Sequence, residues 1–170
     1  FRIPGVVECA LAWDELTVQV IADGKHLPET MLKLIWNAKG TDKISLITDG
    51  LDFSASELEE GSVYTQQNGM DVVYEDGVMK LPDRTAFAGS AATMDRLVFH
   101  MRKAGVPMAE AVRMATLNPA MRIGETKLGR IGPGCAADFL LFDDDINVKL
   151  VATGGRALRD DWKILEDAHA

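Results

Sequence analysis

The chain has 170 residues, 47% of them apolar and 26% charged, the balance of a globular domain and not of a disordered chain; its length suits roughly one domain of about 150 residues. The 18 Lys and Arg stand scattered against 26 Asp and Glu, a net charge of −8, which excludes the basic footprint that nucleic acid or an anionic membrane calls for. No apolar run approaches the roughly 18 residues of a membrane span and no signal peptide opens the chain, so the expectation is a soluble, cytoplasmic protein.

Cys9 and Cys135 stand apart without CxxC spacing or nearby histidines, and both read as small core residues rather than a disulfide or zinc site. The first residue is Phe, not Met, and the chain reads as beginning partway through a larger gene product.

Residues 17–23 (TVQVIAD) and 43–49, the end of DKISLITD, are short β-branched apolar runs, the pattern of strands buried on both faces of a parallel sheet. Between them Pro28 opens a segment with Met31, Leu32, Ile35 and Trp36 at helical spacing, Glu29 near its start and Lys39-Gly40 at its end, so the unit is β-loop-α-β. A polar, acidic stretch follows to Gly61. Then Asn68-Gly69, set between alternating residues, signals a hairpin, and Glu75-Asp76-Gly77 a further turn before VMKL.

From Ser90 the period becomes helical: Met94, Leu97, Val98 and Met101 form a stripe, Arg96, Arg102 and Lys103 the wet side, and Gly105 the C-terminal cap. A second helix follows Pro107 through Met108, Ala111, Val112 and Ala115 to Asn118-Pro119, with a short turn to Gly124. The methionines of these helices read as core filler. Beyond lie strand-length pieces, GRIGPGCAADFLLFDDD, NVKLVATGGRAL and WKIL, split by Gly and Asp turns. Strand–helix units followed by strands make an α/β pattern with an appended β module. A complete eight-stranded barrel takes roughly 200 residues at minimum, so the pattern reads as the end of one.

Three places carry candidate chemistry, each with a plain structural alternative. Asp49 ends an apolar strand, where a parallel sheet presents its ligand face and a carboxylate is a candidate general base; the alternative is a turn or helix-capping aspartate. In IADGKH (21–26) the Asp23-Gly24 exit presents His26 on the same face, for a hydrogen bond to substrate or for a metal; the alternative is a lone surface histidine. In AGSAATM (88–94) Gly89 and Ser90 lead into a helix whose free amides suit an anion or hydroxyl; the alternative is a turn glycine and a helix-capping serine. His100 and His169 read as structural or solvated, and the clusters Asp143–Asp145 and Asp160-Asp161 as solvated turns.

Taken in order, IADGKH at 21–26, ISLITDG at 44–50, AFAGSAATM at 86–94, MATLNPAMRIG at 114–124 and GRIGPGCAADFLLFD at 129–143 resemble the C-terminal half of the N-acetylglucosamine-6-phosphate deacetylase family of metal-dependent amidohydrolases. The Arg2-Ile3-Pro4-Gly5 segment is similar to the family's Arg-Glu-Pro-Gly. The resemblance implies the C-terminal part of a (β/α)8 TIM-type barrel plus the C-terminal strands of a small β-sandwich. Residues 1–124 would form the partial barrel, with a β-hairpin insert near 62–81, and 125–170 the sandwich strands and tail.

The resemblance also implies roles. Asp49 falls on the family's catalytic aspartate, which takes a proton from a metal-activated water and returns it to the departing amine. His26 matches a substrate-contact histidine near the sugar and phosphate, and Arg2 an arginine reaching the phosphate held by the neighbouring subunit. Gly89 and Ser90 match substrate-binding positions. The implied cofactor is a divalent metal, zinc or iron. Its ligands, a glutamate and two histidines on earlier strands, have no counterpart here, so none of the metal ligands is expected in this chain and the chain alone is expected to be inactive. Gly50 stands where the family has alanine, and residues 50–60 are more acidic than its Gly-rich loop. The implied partners are an amino-sugar phosphate and a second copy, or another chain joined through open barrel edges. Another amidohydrolase, acting on a cyclic amide or deaminating a base, and a non-catalytic associating fragment are the alternatives.

Overall fold

The computed structural model describes residues 3–54 and 56–164. Its first helix, α1 (Val6–Ala12), was not legible in the sequence: it is about two turns long, buries no residue, and is started by Glu8, whose carboxylate accepts from the Gly5 N–H at 2.9 Å. Strands β1 (Val18–Val20) and β2 (Ile44–Leu46) pair in parallel, Val18 opposite Ile44 and Val20 opposite Leu46, and the ladder continues as Ile47 N–H donates to the Val20 carbonyl at 3.1 Å. Helix α2 (Glu29–Lys39) crosses between them, the expected β-loop-α-β unit. Pro28 sits at its N-cap with extended backbone, Glu29 and Lys39 complement its dipole, and Gly40 at φ +68 ends it.

β2 is buried throughout, as expected, whereas β1 alternates and exposes Gln19. The difference follows from cover: among the described residues each strand has only the other as its sheet neighbour, but the helical segments 108–115 and 117–122 pack against β2. The core forms where Val20, Ala22, Ile44 and Leu46 of the strands meet Leu32 and Ile35 of α2, Leu97, Val98 and Met101 of α3 (Met94–Lys103), and Ala111 and Met114 of α4 (Met108–Ala115). Gly105, at φ +94, lies one residue beyond the last helical turn of α3, where Val106 N–H returns to the Met101 carbonyl at 3.1 Å. The helical run after Pro107 breaks at Thr116, and α5 (Leu117–Arg122) restarts it. Buried Asn118 explains the restart: its Nδ2 donates to the carbonyls of Thr41 and Ile44, each at 2.7 Å, pinning α5 to the start of β2. Of the helical methionines, Met101 and Met114 are core, but Met121 is exposed.

The hairpin read near 62–81 is a longer device. Strands β3 (Val63–Thr65), β4 (Asp71–Glu75), β5 (Val78–Lys80) and β6 (Phe87–Ser90) form an antiparallel meander. The Asn68-Gly69 and Asp76-Gly77 turns fall where the sequence puts them. The third turn lacks such a signal: it is built on Arg84 at φ +58 and on Asp83, whose carboxylate accepts from the Thr85 N–H at 3.0 Å. Val72, Val73, Val78 and Met79 give the meander its own buried centre.

The C-terminal pieces form a second antiparallel sheet, β7 (Phe139–Phe142), β8 (Val148–Thr153) and β9 (Arg156–Asp160). Asp143 folds the first turn by accepting from the N–H groups of Asp145 and Asn147, and Gly154-Gly155, both at positive φ, fold the second. WKIL is not a strand where it is described, since Trp162 and Lys163 lie in a turn. Gly129 is required by contact: a Cβ there would lie 2.6 Å from the Thr116 carbonyl, where the incoming segment crosses the α4–α5 joint. Cys9 and Cys135 are free thiols, half-buried instead of core, because α1 buries nothing and Cys135 lies in a loop.

Candidate active site

Because β1 and β2 are parallel, the segments leaving them, 21–26 and 47–50, emerge at the same end of the sheet. The exit from β1 is organised by Asp23. Its side chain is 1% exposed; Oδ1 accepts from the N–H groups of Lys25 and His26, both at 2.9 Å, and Oδ2 faces His26 Nδ1 at 2.8 Å. Burial alone would push the Asp23 carboxyl up, but the two N–H donors and the His26 ring outweigh it and hold the group below the usual carboxylate range. Gly24, at φ +74, completes the turn, and a Cβ there would lie 2.4 Å from the ring of His100.

His100 is therefore neither solvated nor idle. Its ring backs the loop, its Nδ1 is buried without a hydrogen bond, and the nearest carboxylate oxygen, on Glu29, is 3.9 Å away. Burial and the charges of Lys103 and Arg96 push its pKa below the ordinary histidine value, against smaller pulls from Glu29 and Asp23. His169 lies outside the described residues, as does Arg2.

Asp49 lies three residues beyond β2, which ends at Leu46 and not at the expected 49. It is exposed, and among the described residues its carboxylate has neither a hydrogen bond nor an ion pair. Its backbone is left-handed at φ +50, a conformation that costs a non-glycine residue about 1 kcal/mol or more but that aspartate tolerates better than most. The neighbouring backbone enforces it: Ser90 N–H donates to the Asp49 carbonyl at 3.0 Å, and Gly50 bridges Ser90 in parallel register.

Ser90 is fully buried, and its polar atoms are engaged: beyond the N–H, its carbonyl accepts from Ser54 Oγ at 2.9 Å and its Oγ accepts from the Ala92 N–H at 3.0 Å. It does not cap α3. The cap position falls to Thr93, three residues on, because Ser90 still belongs to β6. Gly89, at φ +149, is pressed between Leu51 and the Asp49 carbonyl, 2.9 Å and 3.2 Å from where a Cβ would stand. At the other end of β6 the Phe87 ring meets His26 edge-on, centroids 5.0 Å apart. The meander thus returns β6 across the strand ends, with Gly89 and Ser90 against Asp49 and Phe87 against His26. Lys25 lies beside Gly77 at the rim.

In the sequence Asp23 is legible only as part of the Asp23-Gly24 exit and His100 as structural or solvated; the structure makes Asp23 the acceptor that closes the loop and His100 the ring that backs it. Asp23 had a signal, Asp-Gly-x-His with the histidine three residues on, which is the spacing of a side-chain-closed turn. His100 had none, since its role depends on a glycine 76 positions earlier.

These donors do not by themselves fit a divalent metal. Among the described residues no three His, Cys, Asp or Glu side chains are grouped to hold one, and His26 Nδ1 is committed to Asp23.

The amidohydrolase family model matches residues 14–161. The chain belongs to the amidohydrolase family. Within it, the chain is 30% identical over 158 residues to the N-acetylgalactosamine-6-phosphate deacetylase of Shewanella sp. (strain ANA-3), covering 92% of this chain and 39% of that relative. It is 33% identical over 156 residues to the N-acetylglucosamine-6-phosphate deacetylase of Bacillus subtilis (strain 168), covering 91% and 38%. The solved N-acetylglucosamine-6-phosphate deacetylase of Pasteurella multocida superposes with a TM-score of 0.81 at 30% identity, over 92% of this chain and 40% of that one. The chain spans about two fifths of the length of these relatives. Among the described residues no helix is long and apolar enough to cross a membrane.

Proposed function

We propose that this chain is the C-terminal part of a hydrolase that removes the acetyl group from N-acetylglucosamine 6-phosphate, with Asp49 as its general base and acid. The observation that carries the reading is the juxtaposition at one sheet end of an exposed, unpartnered Asp49 with Gly89, Ser90 and the His26 loop. Asp49 takes a proton from the attacking water as the water oxygen bonds to the amide carbon. It then delivers that proton to the amide nitrogen, the C–N bond breaks, and acetate and glucosamine 6-phosphate leave. His26 meets the substrate on the sugar and phosphate side, Gly89 and Ser90 form the wall beside Asp49, and Arg2 reaches the phosphate held by a neighbouring subunit. Polarising the carbonyl falls to the divalent metal, zinc or iron, that the family resemblance implies, with ligands that the resemblance puts on earlier barrel strands.

Exposed apolar side chains favour a second reading, association. Val6, Val7, Phe139, Leu140 and Leu158 are exposed on α1, β7 and β9, apolar surface that an associating chain would cover. A homodimer, or pairing with a chain that supplies the missing barrel strands, covers them.

The test is acetate release from N-acetylglucosamine 6-phosphate, and from the galactosamine isomer, with metal content measured on the same sample and Asp49→Asn as control. Stoichiometric metal and Asp49-dependent activity in this chain alone place the ligands here and refute the upstream assignment. If neither appears, activity should return when the upstream segment is restored, and a failure to return removes the deacetylase reading. Sedimentation on the same preparation decides the association reading, which a monomer refutes.

A further inference from the structure

We propose that Asp23 is a positioning residue that locks the neutral His26 ring as its Nδ1–H tautomer, so that an anionic substrate group at Nε2 is bound only together with a proton. The proposal rests on the reading of His26 as the contact for a sugar phosphate.

The argument begins with atoms that have no freedom. Asp23 Oδ1 is occupied by two backbone donors, Lys25 N–H and His26 N–H, and Oδ2 is left to His26 Nδ1 at 2.8 Å. A carboxylate accepts and cannot donate. A neutral imidazole opposite it must therefore put its single N–H on Nδ1, although nothing else in the loop requires it. Nε2 is then a bare lone pair, with no hydrogen bond among the described residues and the side chain 19% exposed. Phe87 closes one side of the ring edge-on and contributes no charge. Gly24 is backed by His100, which prevents the loop from swinging away.

A lone pair repels a phosphate oxygen. The ring becomes a donor there only as the imidazolium, with Asp23 neutralising it from behind. Binding the anion and binding the proton are then one event. The charged group on this ring is Asp23; Lys25 of the same loop turns toward Gly77 and Asp76 of the β4–β5 turn, and His100 with its neighbours Glu29 and Lys103 stands behind Gly24.

Asp23→Asn inverts the arrangement with little change of shape. The two backbone donors still demand an oxygen at the Oδ1 position, so the amide nitrogen takes the Oδ2 position and donates to Nδ1. The neutral ring must then carry its hydrogen on Nε2.

The experiment is histidine ring-nitrogen NMR on the full chain at a pH where His26 is neutral, with His26→Gln identifying its signals. The wild-type ring should be the Nδ1–H tautomer; an Nε2–H ring overturns the proposal, and this measurement stands even if the variant does not fold. Asp23→Asn should switch it to Nε2–H, and retention of Nδ1–H overturns the assignment to Asp23. With glucosamine 6-phosphate bound, the wild-type ring should become doubly protonated while the variant's stays neutral. A bound complex with a neutral wild-type ring overturns the proton coupling. Absence of sugar-phosphate binding with the upstream segment restored refutes the substrate reading instead, and the tautomer result still decides the role of Asp23.

Discussion

β1 and β2 lie side by side, run the same way and deliver an aspartate apiece to the same end of the sheet. The two carboxylates are in opposite states. Asp23 is buried with both oxygens taken by its own loop. Asp49 is exposed, has no side-chain partner among the described residues, and stands on a left-handed backbone that the β6 strand end holds in place. A carboxylate saturated by fixed donors cannot readily move a proton, whereas an unsatisfied one beside a substrate wall can. On the proposed function, neighbouring aspartates would divide into one that shapes the site and one left for chemistry, the pattern expected when a rigid frame supports a reactive group.

The comparison breaks most sharply through Asp49→Asn. Asparagine keeps the shape and tolerates the left-handed backbone, so the loss should appear in chemistry alone: acetate release from the active assembly should fall about 10²–10⁴-fold. Stability in urea should change by less than about 0.5 kcal/mol. Retained activity would return Asp49 to the plain reading of a turn aspartate.

Asp23→Ala should do the reverse. It strands two backbone N–H groups and the His26 ring nitrogen near the buried carboxylate site, and a stability loss of about 2–4 kcal/mol is expected from urea unfolding. The pH dependence has a definite sign. Asp23 is held below its ordinary value of 3.8 when folded, so its contribution is complete above that value and is lost as the pH falls through the folded pKa. Asp23→Asn should remove that part of the acid limb, and an unchanged acid limb would show that other carboxylates govern it.

The sequence was informative wherever the determinant was local. The α2 segment carried its own start, stripe and stop, and the Asn68-Gly69 and Asp76-Gly77 turns are set by residues that accept positive φ. Asp49, His26, Gly89 and Ser90 were singled out from strand ends and a Gly-Ser step, and the structure places them at one sheet end. What stayed illegible depends on distant partners. Helix α1 has no apolar face buried to mark it. The route of β6 back to Asp49 turns on a bridge from Gly50 to Ser90, which no periodicity announces. Asn118 reads as part of a helix-breaking Asn-Pro pair until its amide is seen on the carbonyls of Thr41 and Ile44.

A smaller effect separates the frame of the Asp23 loop from its carboxylate. Gly24→Ala places a methyl 2.4 Å from a ring carbon of His100 and keeps an L-residue at φ +74. The backbone term alone is about 1–2 kcal/mol, and the clash adds to it. A double-mutant cycle with His100→Ala should recover the clash but not the backbone term, so the pair is less than additive in urea unfolding. Strict additivity would mean that His100 does not brace the loop.

The smallest expected effect lies on the Asp49 side and tests whether its posture comes from β6. Ser54 Oγ donates to the Ser90 carbonyl, and a methyl on Gly50 would stand 3.0 Å from that oxygen and 3.2 Å from Ser54 Cβ. Ser54→Ala removes the bond and should cost about 0.5–1.5 kcal/mol. Gly50→Ala forces Ser54 to give way and should cost no more than Ser54→Ala, because a displaced serine can still meet water at this half-buried position. If posture matters to chemistry, both variants should lower turnover of the active assembly in the same proportion, with substrate affinity unchanged. An effect on affinity alone would move this strand end from positioning Asp49 to shaping the substrate pocket.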